Sequence, residues 1–136
     1  MRIVLDTNVL ASGLRSPFGP PGRILDAILA GDATVCFDDR IMAEYRQVLL
    51  RPMFGWDADA VDALLEFLTS SGEAVVARPS AASLPDPEDR MFLEVALAAL
   101  ADHLVTGNLR HFPARGRQDV SVVKPAELVR LLAGDG

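Results

Sequence analysis

The sequence lacks the cysteines that would form disulfides or a zinc cluster, and it lacks an apolar run long enough to span a membrane. Its single cysteine, Cys36, cannot form an internal disulfide, and no second cysteine is available for a zinc cluster. Cys36 lies in an apolar segment, residues 33–37, which indicates a buried core thiol. No apolar run reaches the ~20 residues that span a bilayer, and Asp6 interrupts the N-terminal apolar residues. We therefore expect a cytoplasmic protein without a membrane segment.

An excess of basic residues is also missing. The chain has 13 Lys and Arg against 19 Asp and Glu, a formal net charge of −6. Domains that bind nucleic acid by bulk electrostatics are usually basic, so this mode of binding is disfavoured. An enzyme whose clustered acids hold cations is compatible with the charge, because bound cations reverse the local sign.

Apolar residues are abundant: they make up 50% of a chain of 136 residues, enough for one core in a single domain over residues 1–136. Periodicity predicts strands at 1–5, 33–37, 73–77, 103–106 and 121–123. It predicts helices at 23–30, 40–50, 60–68, 88–101 and 125–132, with a loop at 79–87. No helical pattern begins cleanly at Thr7. The strand segments are continuously apolar, as in parallel strands that are buried on both faces. We predict a three-layer α/β/α sandwich around a mostly parallel sheet of four to five strands.

Several polar residues follow directly after predicted strands, where ligands of parallel sheets bind. Asp6 follows the first strand, and Thr106 and Asn108 follow the fourth. Asp89 lies at the start of the helix 88–101, beside its buried face. We expect Asp6, Asp89 and Asn108 to gather at one edge of the sheet. Turn or capping roles are the alternatives, and for Asp86, at the same helix start, capping is strongly favoured.

Glu44 lies inside the predicted helix 40–50, on the same side as Ile41 and Val48. A buried acid is costly unless it is paired or bound to a cation. A boundary residue that reaches solvent, or pairs with Arg40 or Arg51, explains the same pattern equally well. The sequence leaves the two interpretations open.

Acids that gather in one place repel one another and need a compensating charge. Carboxylate and amide oxygens suit hard cations, so Mg²⁺ or Mn²⁺ is the expected partner. Such an ion polarises a phosphodiester oxygen and lowers the pKa of a bound water. The arrangement therefore predicts metal-assisted hydrolysis of a phosphodiester.

Four segments of the chain, in order and over nearly its whole length, resemble the PIN-domain nucleases. They are residues 4–10 (VLDTNVL), 49–54 (LLRPMF), 84–96 (LPDPEDRMFLEVA) and 104–113 (LVTGNLRHFP). The segment 49–54 resembles a branch of the family assigned to toxin components of toxin–antitoxin pairs. The resemblance implies the α/β/α fold, an endoribonuclease activity that depends on Mg²⁺ or Mn²⁺, an RNA substrate, a protein antitoxin and a homodimer.

The resemblance also implies roles for individual residues. It implies three metal ligands, which are Asp6, Glu44 and Asp89. Asp86 would be an accessory acid, and three further residues would orient ligands or water: Thr7, Asn8 and Thr106. RNA phosphates would be held by Arg15, Arg110 and His111. Many relatives have aspartate where this chain has Asn108, which could still coordinate through its carbonyl oxygen but removes one negative charge.

Three alternatives compete with this interpretation. A PIN-like binding module without activity is suggested by Asn108. A phospho-accepting receiver domain also has an acid after its first strand, a threonine after its fourth and a Lys-Pro pair after its fifth, as this chain has in Asp6, Thr106 and Lys124-Pro125. However, no acceptor aspartate follows the strand 73–77 here. A haloacid-dehalogenase-like phosphatase needs an acid two residues after Asp6, where this chain has Asn8.

Overall fold

The computed structural model describes residues 1–80 and 82–134, so Ala81 of the predicted loop and the last two residues of the predicted domain lie outside the described residues. Within them, five parallel strands form one sheet of order β3-β2-β1-β4-β5. The strands are β1 (Arg2–Leu5), β2 (Thr34–Phe37), β3 (Glu73–Ala74), β4 (His103–Val105) and β5 (Val122–Val123). The predicted α/β fold with a parallel sheet is confirmed.

Six α-helices in the described residues surround this sheet. They are α1 (Thr7–Arg15), α2 (Pro20–Ala30), α3 (Asp39–Leu49), α4 (Ala58–Ser71), α5 (Arg90–Ala99) and α6 (Pro125–Leu132). Helix α5 packs on β1, β2 and β4, while α1 contacts α2 and α3, α2 contacts α6, and α3 contacts α4. Three short 3₁₀ turns lie between the regular elements: Pro87–Asp89, Leu109–His111 and Ala114–Gly116.

Helix α1 corrects the sequence analysis, which found no helix beginning at Thr7. Its buried residues include Val9 and Leu10, but Gly13 interrupts the apolar pattern one turn later. Gly13 is a contact point: a Cβ there would lie 2.8 Å from Leu25 Cδ1 and 2.9 Å from the Pro21 carbonyl oxygen. The missing side chain therefore hid the periodicity and at the same time lets α1 and α2 approach closely.

Two further elements are shorter than predicted by more than one residue. Strand β3 ends at Ala74 instead of residue 77, and Val76 is 95% exposed, because β3 is an edge strand that pairs only with β2. The helix predicted at 88–101 begins as the 3₁₀ turn Pro87–Asp89, and α5 ends at Ala99. Leu100 then takes a left-handed conformation with φ of 50°, which stops the helix.

The core lies between the sheet and the helices, and Cys36 is fully buried in it, as predicted. Tyr45 on α3 is also fully buried, and its hydroxyl donates a hydrogen bond of 2.6 Å to the Leu5 carbonyl oxygen at the end of β1. This bond fixes α3 against the strand that precedes Asp6. Between α3 and α4, the rings of Phe54 and Trp56 stack with centroids 4.5 Å apart. In the described part of the chain, no helix combines the length and apolar character needed to cross a membrane.

Candidate active site

The strand order reverses between β1 and β4, which are neighbours in the sheet. After β1 the chain continues to β2 on one side, and after β4 it continues to β5 on the other side, so this is the topological switch point. Asp6 follows β1 and Thr106 follows β4, and both are buried. The Thr106 hydroxyl donates a hydrogen bond of 2.7 Å to Asp6 Oδ2. Although Asp6 precedes α1, its carboxylate makes no capping hydrogen bond with that helix. The bond to Thr106 thus places the carboxylate at the switch point of the sheet, in the crevice between the ends of β1 and β4.

Glu44 reaches the same crevice from α3. Its carboxylate accepts a hydrogen bond from the Thr7 hydroxyl, next to Asp6. Arg40, one of the partners considered for Glu44, instead pairs with Asp38 and Glu94. Burial raises the pKa of Glu44 against the opposing effect of the Thr7 bond, and the Asp6 charge raises it further.

Asp89 ends the 3₁₀ turn Pro87–Asp89 and is only 9% exposed. His111 Nδ1 lies 3.3 Å from Asp89 Oδ2, within ion-pair distance. The contact lacks the geometry of a hydrogen bond, and the buried Oδ2 has no hydrogen-bond partner among residues 1–80 and 82–134. Burial raises the pKa of Asp89 to about 6, and the Asp6 charge contributes in the same direction.

The three acids are electrostatically coupled. Burial raises the pKa of Asp6, and the Asp6 charge in turn raises the pKa of Glu44 and of Asp89. Repelling carboxylates and a buried oxygen without a partner are what a divalent cation compensates, and oxygen donors suit Mg²⁺ or Mn²⁺. Nevertheless, in the residues that the structure describes, no three Asp, Glu, His or Cys side chains converge closely enough to hold a metal ion. The donors thus fit a hard cation in chemistry, although they are not gathered around one point.

Two predicted site residues act as local caps. Asp86 accepts a hydrogen bond of 2.9 Å from the Glu88 backbone N–H, the capping role that the sequence favoured. Asn108 Oδ1 accepts one of 3.1 Å from the Arg110 N–H at the start of the turn Leu109–His111. One of the two lone pairs of the oxygen through which Asn108 could coordinate a cation is therefore engaged by the Arg110 N–H.

The remaining predicted residues are spread more widely. Asn8 is exposed beside Gly107, and Arg110 is exposed next to His111, so both border the crevice. Arg15 ends the nine-residue helix α1, about 13 Å along its axis from Asp6, and its guanidinium carbon lies 5.9 Å from the centre of the Phe54 ring. The structure does not bring Arg15 to the acids.

Sequence reasoning missed Glu94 on α5. Its carboxylate is buried and accepts hydrogen bonds of 2.8 Å from Arg40 Nη1 and 2.7 Å from the Ser80 N–H. Burial acts to raise the pKa of Glu94, but these bonds bring it below the usual value. The pair joins α3, which carries Glu44, to α5, which follows Asp89. The available signal was an acid inside an otherwise apolar helix.

The fold and this crevice define a class: a parallel α/β protein with an acidic crevice at its topological switch point. A model of the PIN domain family matches residues 2–110, and the chain therefore belongs to the PIN domain family, whose members are generally nucleases. Membership removes the receiver-domain and phosphatase alternatives.

Solved structures agree on the fold. VapBC2 from Rickettsia felis, a structure bound to a DNA fragment from its promoter, is similar with 18% identity and a TM-score of 0.61, over 91% of this chain and 98% of that one. VapBC-1 from nontypeable Haemophilus influenzae is similar with 17% identity and a TM-score of 0.60, over 93% of this chain and 99% of that one. FitAcB from Neisseria gonorrhoeae is similar with 18% identity and a TM-score of 0.59, over 91% of this chain and 98% of that one. No curated protein sequence matches the chain.

Proposed function

We propose that the chain is a metal-dependent endoribonuclease and the toxin of a toxin–antitoxin pair. One observation carries the proposal: the Asp6 charge at the switch point acts on both Glu44 and Asp89, and Asp89 keeps a buried oxygen that no hydrogen bond satisfies within the described residues. Such an arrangement is unfavourable for the apoprotein and becomes favourable when a cation binds. Family membership supports phosphodiester hydrolysis as the reaction.

Asp6, Glu44 and Asp89 would hold the cation, which when bound would polarise a phosphodiester oxygen and lower the pKa of a water. Thr106 holds the Asp6 carboxylate in place, and Thr7 does the same for Glu44. Asp86 and Asn108 shape the two turns that present Asp89 and His111, as accessory members of the site.

A groove continues from Glu44 and offers room for a substrate strand. It runs between α3 and the start of α5, and its lining includes Arg40, Glu88 and Arg90. Arg110 and Asn8 border the crevice. We propose that Arg110 contacts RNA phosphates and that Asn8 orients water. Arg15, which the sequence placed in the same role, would reach only a distant part of a long RNA.

The other proposals concern the assembly. An acidic chain with net charge −6 suits a basic antitoxin segment as partner in the cytoplasm. The apolar residues near the Phe54–Trp56 stack, including Met53 at 75% exposure, are proposed as a homodimer contact. All of these functions are proposed for one domain over residues 1–136.

The test is cleavage of a mixed-sequence single-stranded RNA in Mg²⁺, Mn²⁺ or EDTA. We expect cleavage with either metal, none in EDTA, and at least a hundredfold loss in Asp6→Asn. Asp26→Asn, at an exposed position of α2, is the matched control and should cleave normally. Cleavage that survives Asp6→Asn would exclude the carboxylate mechanism.

A second candidate function is a binding module without catalysis. The capping bond from the Arg110 N–H to Asn108 favours it, because that bond competes with a cation for the Asn108 oxygen. This function predicts that the folded protein binds RNA in a filter or gel-shift assay but leaves it intact with every metal. The same RNA and metals as above therefore separate the two functions.

A further inference from the structure

His111 is close to the acids for a reason that begins at Thr106. The Thr106 hydroxyl, which holds Asp6, also accepts a hydrogen bond of 3.1 Å from the Asn108 N–H. Asn108 then caps the turn Leu109–His111, and this turn brings His111 Nδ1 to 3.3 Å from Asp89 Oδ2. A short series of polar contacts thus runs from Asp6 through Thr106 and Asn108 to the turn that carries His111, and the His111 imidazole contacts Asp89.

The contact between His111 and Asp89 is not a hydrogen bond. Asp89 Oδ2 is buried and has no hydrogen-bond partner in the part of the chain that the structure describes. A buried carboxylate oxygen without a hydrogen-bond partner is costly, and either an ion pair with protonated His111 or a cation bound to both atoms would stabilise it. Two ligand atoms about 2.1 Å from one ion and at right angles to each other lie about 3.0 Å apart, close to the distance between these two atoms.

We propose that His111 Nδ1 and Asp89 Oδ2 are neighbouring ligands of one divalent transition-metal ion. The inference rests on the proposed function, because it concerns the cation that the acids hold. It replaces the phosphate-binding role that the sequence suggested for His111. An imidazole nitrogen is a favourable ligand for transition metals, whereas Mg²⁺ prefers oxygen. The site is therefore selective for a transition metal over Mg²⁺, with His111 compensating for the acid that Asn108 does not supply.

The chain offers a matched control, because it has only two histidines. The other, His103, begins β4 and bonds Ser121 through its Nδ1, at the opposite end of the strand from Thr106. The experiment uses tag-free protein with Mn²⁺ as the probe. Pulsed electron paramagnetic resonance then detects whether a nitrogen is bound directly to the Mn²⁺, independently of any RNA cleavage.

We expect a directly bound nitrogen in wild type and in His103→Gln, and none in His111→Gln. We also expect His111→Gln to weaken Mn²⁺ binding at least tenfold while changing Mg²⁺ binding, measured by competition, less than threefold. The His103→Gln result assigns the nitrogen even if His111→Gln does not fold.

Three outcomes would overturn the inference. Mn²⁺ that binds and is lost in Asp6→Asn, but shows no bound nitrogen, contradicts the inference and leaves the proposed carboxylate site intact. An equal loss of Mn²⁺ and Mg²⁺ binding in His111→Gln indicates a structural role for the histidine. No binding of Mn²⁺ at all overturns both this inference and the cation site on which it rests.

Discussion

Asp89 occupies an unfavourable position for a charged carboxylate. It is nearly buried and has Asp6 as a charged neighbour, and its pKa of about 6 lies above the ordinary value of 3.8. The folded state thus binds a proton at Asp89 more readily than the unfolded state does. Between about pH 4 and pH 6 this difference makes stability fall as the pH rises.

The substitution Asp89→Asn is expected to remove that penalty. In EDTA at pH 7 it should raise the free energy of unfolding by about 1–3 kcal/mol, since each pKa unit corresponds to about 1.4 kcal/mol. Below pH 4 the gain should vanish, because the carboxyl is then protonated in both states. Urea denaturation at the two pH values measures the difference. Glu66→Gln, at an exposed position of α4, should show no such pH-dependent gain, and an equal gain there would refute the explanation.

Among the elements, α5 ends at a residue poorly suited to its conformation. Leu100 has φ of 50° and is 82% exposed, so its side chain contributes little burial in exchange for the strain. Left-handed backbone costs a side-chain-bearing residue roughly 1–2 kcal/mol, and glycine avoids this.

Leu100→Gly is therefore expected to stabilise the protein by about 0.5–1 kcal/mol. The matched control is Leu29→Gly, which also replaces an exposed leucine but lies within α2, where glycine should destabilise by about as much. Thermal or urea denaturation of both variants measures the two signs. The same sign in both would contradict the backbone argument.

The connection between α3 and α5 depends on one arginine. Arg40→Gln would leave Glu94 buried without its cationic partner, and we expect a loss of about 1–3 kcal/mol by urea denaturation. Arg46→Gln, on the same helix, breaks the exposed pair with Asp62 and should leave the stability nearly unchanged. Equal losses in the two variants would show that burial of the acid does not decide the effect.

The sequence predicted those elements whose pattern is local. Helix α6 was predicted with its observed bounds because Pro125 fixes its start, and β1, β2 and β4 were found from continuous apolar runs. Helix α1 was missed because Gly13 serves a contact with another helix, which no local pattern reveals. Strand β3 was predicted too long because an edge position depends on the whole sheet.

The candidate site divides in the same way. Asp6 and Thr106 could be placed together because parallel strands end at one edge of the sheet, and the structure joins them directly. The contact between Thr7 and Glu44 and the pairing of Arg40 with Glu94 could not be predicted, because each joins residues far apart in sequence.

For the whole molecule, the acid cluster predicts that stability depends on divalent cations. A ligand at a hundred times its Kd stabilises the folded state by about 2.7 kcal/mol, or roughly 5–10 °C in Tm for a chain of this size. We expect Mn²⁺ to raise the Tm of wild type by this amount and that of Asp6→Asn much less. NaCl at the same ionic strength controls for general screening of the net charge. An equal shift in NaCl would contradict a specific cation site.

The bond from Tyr45 to Leu5 gives the molecule a built-in optical signal. Tyr45 is the chain's only tyrosine, and burial raises its pKa well above the usual value of 10. In alkali its phenol therefore ionises only when α3 has separated from β1, so stability falls as the pH rises above 10. The ultraviolet absorbance of the phenolate should appear in a single step with unfolding. An alkaline titration followed at that absorbance band would thus report the separation of α3, which carries Glu44, from β1, without any added label.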